Sequence, residues 1–320
     1  MSRTPRRPDR FLPVSVLPPE TILIAGPTGA GKTELSLLLA ESLGGEIVGA
    51  DAFQVYWGIP LLTAQAPPES RRGIPHHLVG CVDPLIRYDA ARWLEEADAA
   101  IHGILRRGRR PIVVGGTGLY FKALLGGIQQ MPGHDPELRS MLEELTDPEL
   151  VGMLGTLDPD AMTLVDTANR RRVVRAIEII HLTGRPLSES RTLPRPQLPP
   201  GVRAILVVRD KEDLHARIAA NVEGMFAEGV VDEVASLPEE RTGPTASGTL
   251  GLREIRAHLR GETSLGDCID AITRETRRYA KRQMTWFRNQ HGFPEFDPSG
   301  LDGRASAEGL LAMIKSPRKD

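Results

Sequence analysis

Three short stretches hold the residues whose types and spacing can do chemistry. Gly26-Pro27-Thr28-Gly29-Ala30-Gly31-Lys32-Thr33 fits G-x-x-x-x-G-K-[ST]. Glycines at these positions let backbone N–H groups converge on an anion, while a helix starting at the lysine adds partial positive charge. Lys32 supplies a full charge, and the Thr33 hydroxyl suits Mg²⁺ or a phosphate oxygen. Asp51 ends the apolar run "EIVGAD", and Thr117 follows Gly115 and Gly116 at the end of "PIVVGG". The residues therefore point to an enzyme that handles phosphoryl or diphosphate groups. Taken alone, Asp51 reads equally as a general base or as an acid that orders Mg²⁺, and Thr117 as a substrate contact or a turn hydroxyl.

These side chains need elements to carry them. Ile22-Leu23-Ile24-Ala25 is a strand candidate before the Gly-rich turn, and Leu35, Leu38, Leu39 and Leu43 follow at helical spacing. Strands are expected at Glu46–Asp51, at the start of Pro111–Ile128, and at Val202–Asp210. Between the second and third, Trp93, Leu94, Ala97, Ile101, Ile104 and Leu105 share one helical face. Alternating strands and helices predict an α/β fold: a P-loop NTPase-like parallel sheet flanked by helices. Right-handed crossovers then collect the three stretches at one edge of the sheet. Asp210 is expected to cap the next helix, which stops at Gly229.

The texture changes over residues 135–200. Apolar residues keep helical spacing, strand runs vanish and Arg is dense, so a helical insertion is expected there. The core then comprises residues 20–134 and 201–296, residues 1–19 a flexible tail and residues 297–320 a loose end with a short helix. With 320 residues and a net charge of −2, the chain has no global polyanion-binding signature, so any such site rests on local clusters. Only Cys81 and Cys268 occur, which excludes a disulfide framework and a cysteine zinc site and suits a reducing cytoplasm. No apolar run approaches the roughly 20 residues of a membrane helix. His76 and His77 read as structural, with no further metal ligands nearby.

Beyond the phosphate loop, the chain resembles the bacterial tRNA dimethylallyltransferases over roughly residues 21–290. The segments that carry the resemblance include "GADAFQVYWGI", "YDAARW", "PIVVGGTGLYFKALLGG", "DPELR", "NRRRVVRAIEIIHLTGRPLSE", "DLHARI" and "RRYAKRQMTWFRNQ". The resemblance implies transfer of a dimethylallyl group from its diphosphate to the exocyclic amine of the adenosine 3′ of a tRNA anticodon, with Mg²⁺ assisting. It implies that Gly26 to Thr33 and Arg217 hold the diphosphate, that Asp51 and Thr117 are catalytic, and that Thr33 meets the metal. Asp51, Ala52, Phe53, Gln54, Thr117, Arg139, Arg171, Arg172, Val173, Val174, Arg175, Arg278, Lys281 and Gln283 fall at positions that would contact the tRNA anticodon stem-loop. A monomer acting in the cytoplasm, away from membranes, is expected.

The sequence departs from the family pattern at three places. Ala52 stands where Ser is usual, Gln65 replaces the Lys of "GTAKP", and "GLRE" replaces "GYKE". The rival readings are an adenylate isopentenyltransferase, a small-molecule P-loop kinase, and a non-catalytic RNA-binding protein. The Arg rows of the insertion favour tRNA over a free nucleotide, although charge runs are commonly solvated faces.

Overall fold

The computed structural model describes residues 11–12, 17–129, 135–189 and 197–316. The first half of the chain runs β1 (Phe11–Leu12), β2 (Ile22–Ala25), α1 (Lys32–Leu43), β3 (Gly45–Gly49), β4 (His76–His77), α2 (Ala90–Arg106), β5 (Arg110–Gly115), α3 (Gly118–Gly126) and β6 (Ile128–Gln129). Next come α4 (Pro136–Glu144), α5 (Asp147–Leu157), α6 (Ala161–Leu164) and α7 (Arg170–Thr183). The rest is β7 (Arg203–Val207), α8 (Lys211–Ala227), α9 (Val230–Ala235), α10 (Leu252–Leu259), α11 (Leu265–Gln290), β8 (Glu295–Phe296) and α12 (Gly303–Lys315).

The chain divides into two compact units. The larger holds Val14–Gly126 and Arg195–Asp320, the smaller Met1–Pro13 and Gly127–Pro194. In the larger unit six strands form one sheet in the order β4-β3-β5-β2-β7-β8, every neighbouring pair parallel. Because β3, β5 and β2 are adjacent and parallel, the turns after them share one edge. The Gly-rich loop, Asp51 and Thr117 are thus brought together by topology. Ile22, Leu23, Ile24, Ile112 and Val113 are fully buried, as continuous apolar runs of a sheet covered on both faces should be.

Local signals explain the helices. Asp89 accepts hydrogen bonds from the N–H groups of Ala91 and Arg92 and so caps α2; Asp210 does the same for Glu212 and Asp213 at α8. Gly229 ends α8 with φ near +98°, and Gly261 with φ near +76° separates α10 from α11. The segment from Asp297, expected as a loose end with a short helix, carries the 13-residue α12. Its Leu310 and Ile314 are buried in the cluster that includes Leu35, Leu39 and Phe296, which places this helix in the core of the unit. Strands β4 and β8 are two residues each, too short to give a periodic signal. His77 accordingly serves the fold, with its Nε2 2.8 Å from Glu46, which also receives Arg107.

Tight backbone approach is needed at the end of β5. A Cβ on Gly115 would stand 2.0 Å from the carbonyl oxygen of Ala50. Gly115 ends β5, and the Ala50 backbone is held by hydrogen bonds to Val114 and Thr117, so neither yields cheaply. Gly115→Ala is expected to cost at least the ~1–3 kcal/mol typical of overpacking, read as a fall of several degrees in the midpoint of thermal unfolding followed by circular dichroism. An unchanged midpoint would contradict this packing.

The smaller unit is helical. Leu138, Leu142, Leu150, Leu154, Val173, Val174, Ile177 and Ile180 form its core. Asp135 caps α4, Thr146 and Glu149 form a capping box on α5, and Arg170 donates to the carbonyls of Leu142, Glu143 and Leu145 at the end of α4. Part of the N-terminal stretch expected as a flexible tail is strand β1, which pairs antiparallel with β6. Residues 1–10 and 13–16 of that tail lie outside the described residues.

Candidate active site

The Gly-rich loop connects β2 to α1. Gly31 occupies the N-cap position of α1 with φ near +90°, a left-handed value that a side chain would strain. Lys32 begins the helix, and its Nζ donates to the carbonyl oxygen of Pro27 at 2.7 Å, folding the ammonium back over the loop. Desolvation lowers the Lys32 pKa to about 8, while the charge of Asp51 acts in the opposite direction. Thr33 follows in the first turn with an exposed side chain.

Two arginines brace this loop from the side of β7 and α8. Arg217 Nε donates to the carbonyl oxygen of Gly29 at 3.0 Å. Arg209 Nε donates to that of Ala30 at 2.9 Å, and its Nη1 pairs with Asp213 at 2.6 Å. The Nη2 atoms of Arg209 and Arg217 lie 3.4 and 3.6 Å from where a Gly31 Cβ would stand. Two guanidinium groups and Lys32 thus concentrate positive charge around a loop whose N–H groups already favour an anion. Sequence reasoning picked out Arg217 and missed Arg209; its signal was an arginine immediately before a helix-capping aspartate.

Asp51 and Thr117 come from neighbouring strand ends. Asp51 Oδ1 accepts from the N–H groups of Phe53 and Gln54 at 3.0 and 3.3 Å, so one oxygen orders the turn. Thr117 Oγ1 accepts from the Ala52 N–H at 3.0 Å, and its own N–H donates to the Ala50 carbonyl. The residue after Asp51 contributes a backbone N–H here, which Ala supplies as well as Ser. Trp93 fixes the end of β3 through an indole N–H bond of 2.8 Å to the Gly49 carbonyl and stacks on Tyr120 at 4.4 Å. Burial first, then the negative charge of Asp51, pushes the Tyr120 and Tyr279 hydroxyls upward, so both stay protonated.

The loop and Asp51 line one cleft of about 1540 Å³, together with Arg217, Phe53, Gln54 and Tyr279. Its apolar wall includes Leu61, Leu62, Ile218, Val222 and Ile272. Gln65 also lines it, but its amide donates to the Tyr56 carbonyl at 2.8 Å and to Thr63 Oγ1 at 3.1 Å, which ties the loop to itself. Leu252 of "GLRE" is buried, so that departure lies in packing. Tyr279 and the exposed Trp57 are cleft residues that spacing did not reveal.

Thr33 and Asp51 are among the oxygen donors that line the cleft, and among the described residues no group of three or more His, Cys, Asp or Glu is set to hold a metal. A hydroxyl and one carboxylate fit a hard cation carried mainly by diphosphate and water, the usual manner of Mg²⁺.

The residues expected to meet RNA separate into distinct kinds. In the smaller unit Arg171 and Arg172 are exposed, the latter 3.4 Å from Asp166. Arg139 and Arg175 turn toward the fully buried Glu178, at 3.8 and 3.3 Å, so their charge is compensated within the unit. Val173 and Val174, expected as tRNA contacts, are core residues, because the helical period that exposes Arg171 and Arg172 sends them inward. In the larger unit Arg278 and Lys281 are exposed on α11. Gln283, expected beside them as a tRNA contact, is 5% exposed and bonded on both amide atoms within the protein.

Fold and site define a P-loop NTPase-like enzyme whose Gly-rich loop and Asp51 line one cleft. A family model described as IPP transferase matches residues 54–290. The chain is 46% identical over 305 residues to a tRNA dimethylallyltransferase of Maricaulis maris, covering 92% of this chain and 98% of that one. It is 43% identical over 274 residues to the tRNA dimethylallyltransferase of Geobacter sulfurreducens, covering 83% and 88%. Among solved structures it is similar to the full-length tRNA isopentenylpyrophosphate transferase of Bacillus halodurans, with TM-score 0.66, 32% identity and coverage of 92% and 96%. A eukaryotic dimethylallyltransferase acting on tRNA gives TM-score 0.75 and 29% identity, covering 94% of this chain and 81% of that one. The chain belongs to the IPP transferase family.

Proposed function

We propose that this chain transfers a dimethylallyl group from dimethylallyl diphosphate to N6 of the adenosine 3′ of a tRNA anticodon. The observation that carries the reading is that the anion cradle and Asp51 face one cleft large enough for a flipped-out base as well as the donor. In this reading the N–H groups of the loop, Lys32, Arg217 and the Thr33 hydroxyl hold the diphosphate. The aliphatic wall of Leu61, Leu62, Ile218 and Ile272 suits a five-carbon tail. N6 attacks the allylic carbon; the carbon–oxygen bond breaks and its electron pair leaves with diphosphate. The proton lost from N6 goes to Asp51, held beside the base while Thr117 orients it. Mg²⁺, met by Thr33, would share the charge of the leaving diphosphate.

Extrusion of the adenosine is required because its amine is otherwise stacked in the anticodon loop. Arg171, Arg172, Arg278 and Lys281 are the exposed cations offered to the RNA backbone, in a monomer acting in the cytoplasm. No helix among the described residues is long and apolar enough to cross a membrane.

The test is incubation with unmodified tRNA, dimethylallyl diphosphate and Mg²⁺, followed by mass analysis of the digested nucleosides. Dimethylallyl adenosine is the expected product. Its absence, with ATP consumed on a small acceptor, would overturn the reading in favour of a kinase, and prenylation of free AMP alone would shift it to a nucleotide prenyltransferase.

A further inference from the structure

The two bonds of Gln283 connect segments that are remote in sequence. Its Oε1 accepts from the Thr28 N–H at 2.9 Å, inside the Gly-rich loop. Its Nε2 donates to the Gly116 carbonyl at 3.0 Å, in the turn that leads to Thr117. The amide group is buried, and its path is narrow: a Cβ on Gly116 would stand 2.1 Å from Nε2. One helical turn earlier on α11, the Tyr279 hydroxyl interacts with the side chains of both Thr117 and Gln283. The same helix is anchored against this turn by Trp286, whose ring would meet a Gly118 Cβ at 1.9 Å.

We infer that Gln283 is a positioning residue that latches the phosphate loop to the Thr117 turn, setting the cradle in its anion-ready form before the donor arrives. An acceptor on Thr28 takes one N–H out of the set that can converge on the diphosphate and fixes the plane of the following peptides. A donor on Gly116 sets where Thr117, and through Thr117 Oγ1 the Ala52 N–H, stand relative to that loop. The latch thus couples the register of the cradle to that of the Asp51 turn. Such fixed dipoles need no reorganisation when charge develops, which is where preorganised sites gain their advantage. Gln283 acts through Thr28 and Gly116, and its burial keeps it from meeting RNA directly.

The inference rests on the proposed function only in taking the loop as the seat of the donor, and direct binding keeps the two separable. Gln283→Met preserves length and unbranched shape but removes both bonds. Two lost bonds predict a weakening of about 10- to 100-fold in inorganic pyrophosphate binding by calorimetry and in the donor KM. The KM for tRNA should stay close to that of the unaltered protein, while the unfolding midpoint falls by a few degrees because the Thr28 N–H and the Gly116 carbonyl lose their partners. Gly116→Ala, which pushes the amide aside from the opposite direction, should reproduce this donor-selective defect. A raised tRNA KM with normal pyrophosphate binding would overturn the latch in favour of an RNA contact. Losses of equal size in pyrophosphate binding, donor KM and tRNA KM in both variants would reduce it to ordinary packing. Failure of the unaltered protein to make dimethylallyl adenosine, with pyrophosphate binding still sensitive to Gln283, would count against the proposed function and leave the latch standing.

Discussion

Asp51→Asn is expected to lower the single-turnover rate of prenyl transfer by about 10²- to 10⁴-fold, the range associated with losing a positioned general base. Asparagine is the informative substitution. Asp51 Oδ1 accepts from the N–H groups of Phe53 and Gln54, and an asparagine carbonyl accepts from them equally well. The turn, and with it the contact between the Ala52 N–H and Thr117, therefore survives. What disappears is the negative charge and, with it, the proposed acceptor of the N6 proton. Asp51→Ala removes both, so it confuses catalysis with folding of the turn. Binding of unmodified tRNA, followed by filter retention, should change little in Asp51→Asn. A rate within a few-fold of the unaltered protein would remove Asp51 from the chemistry and leave it the role of a turn cap.

Lys32→Ala should lower kcat by about 10²- to 10³-fold, comparable to removing one strong donor from the site of a developing anion. It also abolishes the bond to the Pro27 carbonyl, so the loop loses its own brace. The unaltered protein offers a second, sharper measurement. With the Lys32 pKa brought down to about 8 by desolvation, the ammonium is complete below that value and lost above it. In the proposed reaction diphosphate binds the charged form, so donor affinity should be steady near pH 7 and weaken as pH rises through about 8. One proton sets the steepest possible slope, about tenfold per pH unit. Donor KM measured between pH 7 and 9.5 gives the curve, and in Lys32→Ala the inflection should vanish. A flat profile in the unaltered protein would mean that the ammonium stays charged in the empty cradle.

Sequence reasoning and structure agree where local pattern dictates form. The Ile22–Ala25 strand, the loop and the leucine-spaced helix after it follow from periodicity and glycine placement, and the cap at Asp210 follows from an aspartate set just before a helix. The charge clusters fared differently. Arg139, Arg171, Arg172 and Arg175 look alike in the sequence; Arg175 meets the buried Glu178 one turn along its own helix, but only the fold brings Arg139 to it from α4. Val173 and Val174 could be assigned inward from the helical period, whereas the burial of Gln283 could not, since it depends on Thr28 and Gly116 in two other segments. Gly115 and Gly116 read as turn residues, although their stronger requirement is the backbone and amide that pass within a bond length or two of where a Cβ would be.

The order of residues by itself determined a Gly-rich turn between a strand and a helix, an α/β architecture, and an aspartate and a threonine at strand ends. Those are local properties, set by backbone sterics and by the repeat of apolar side chains over a few turns. Only the tertiary structure decided that β3, β5 and β2 lie side by side, that Arg209 joins Arg217 at the loop, and that Gln283 ties the cradle to the Thr117 turn. The reason is physical: a hydrogen bond or an ion pair between distant segments depends on distances of a few ångströms, and chain spacing carries no record of them until the sheet has closed.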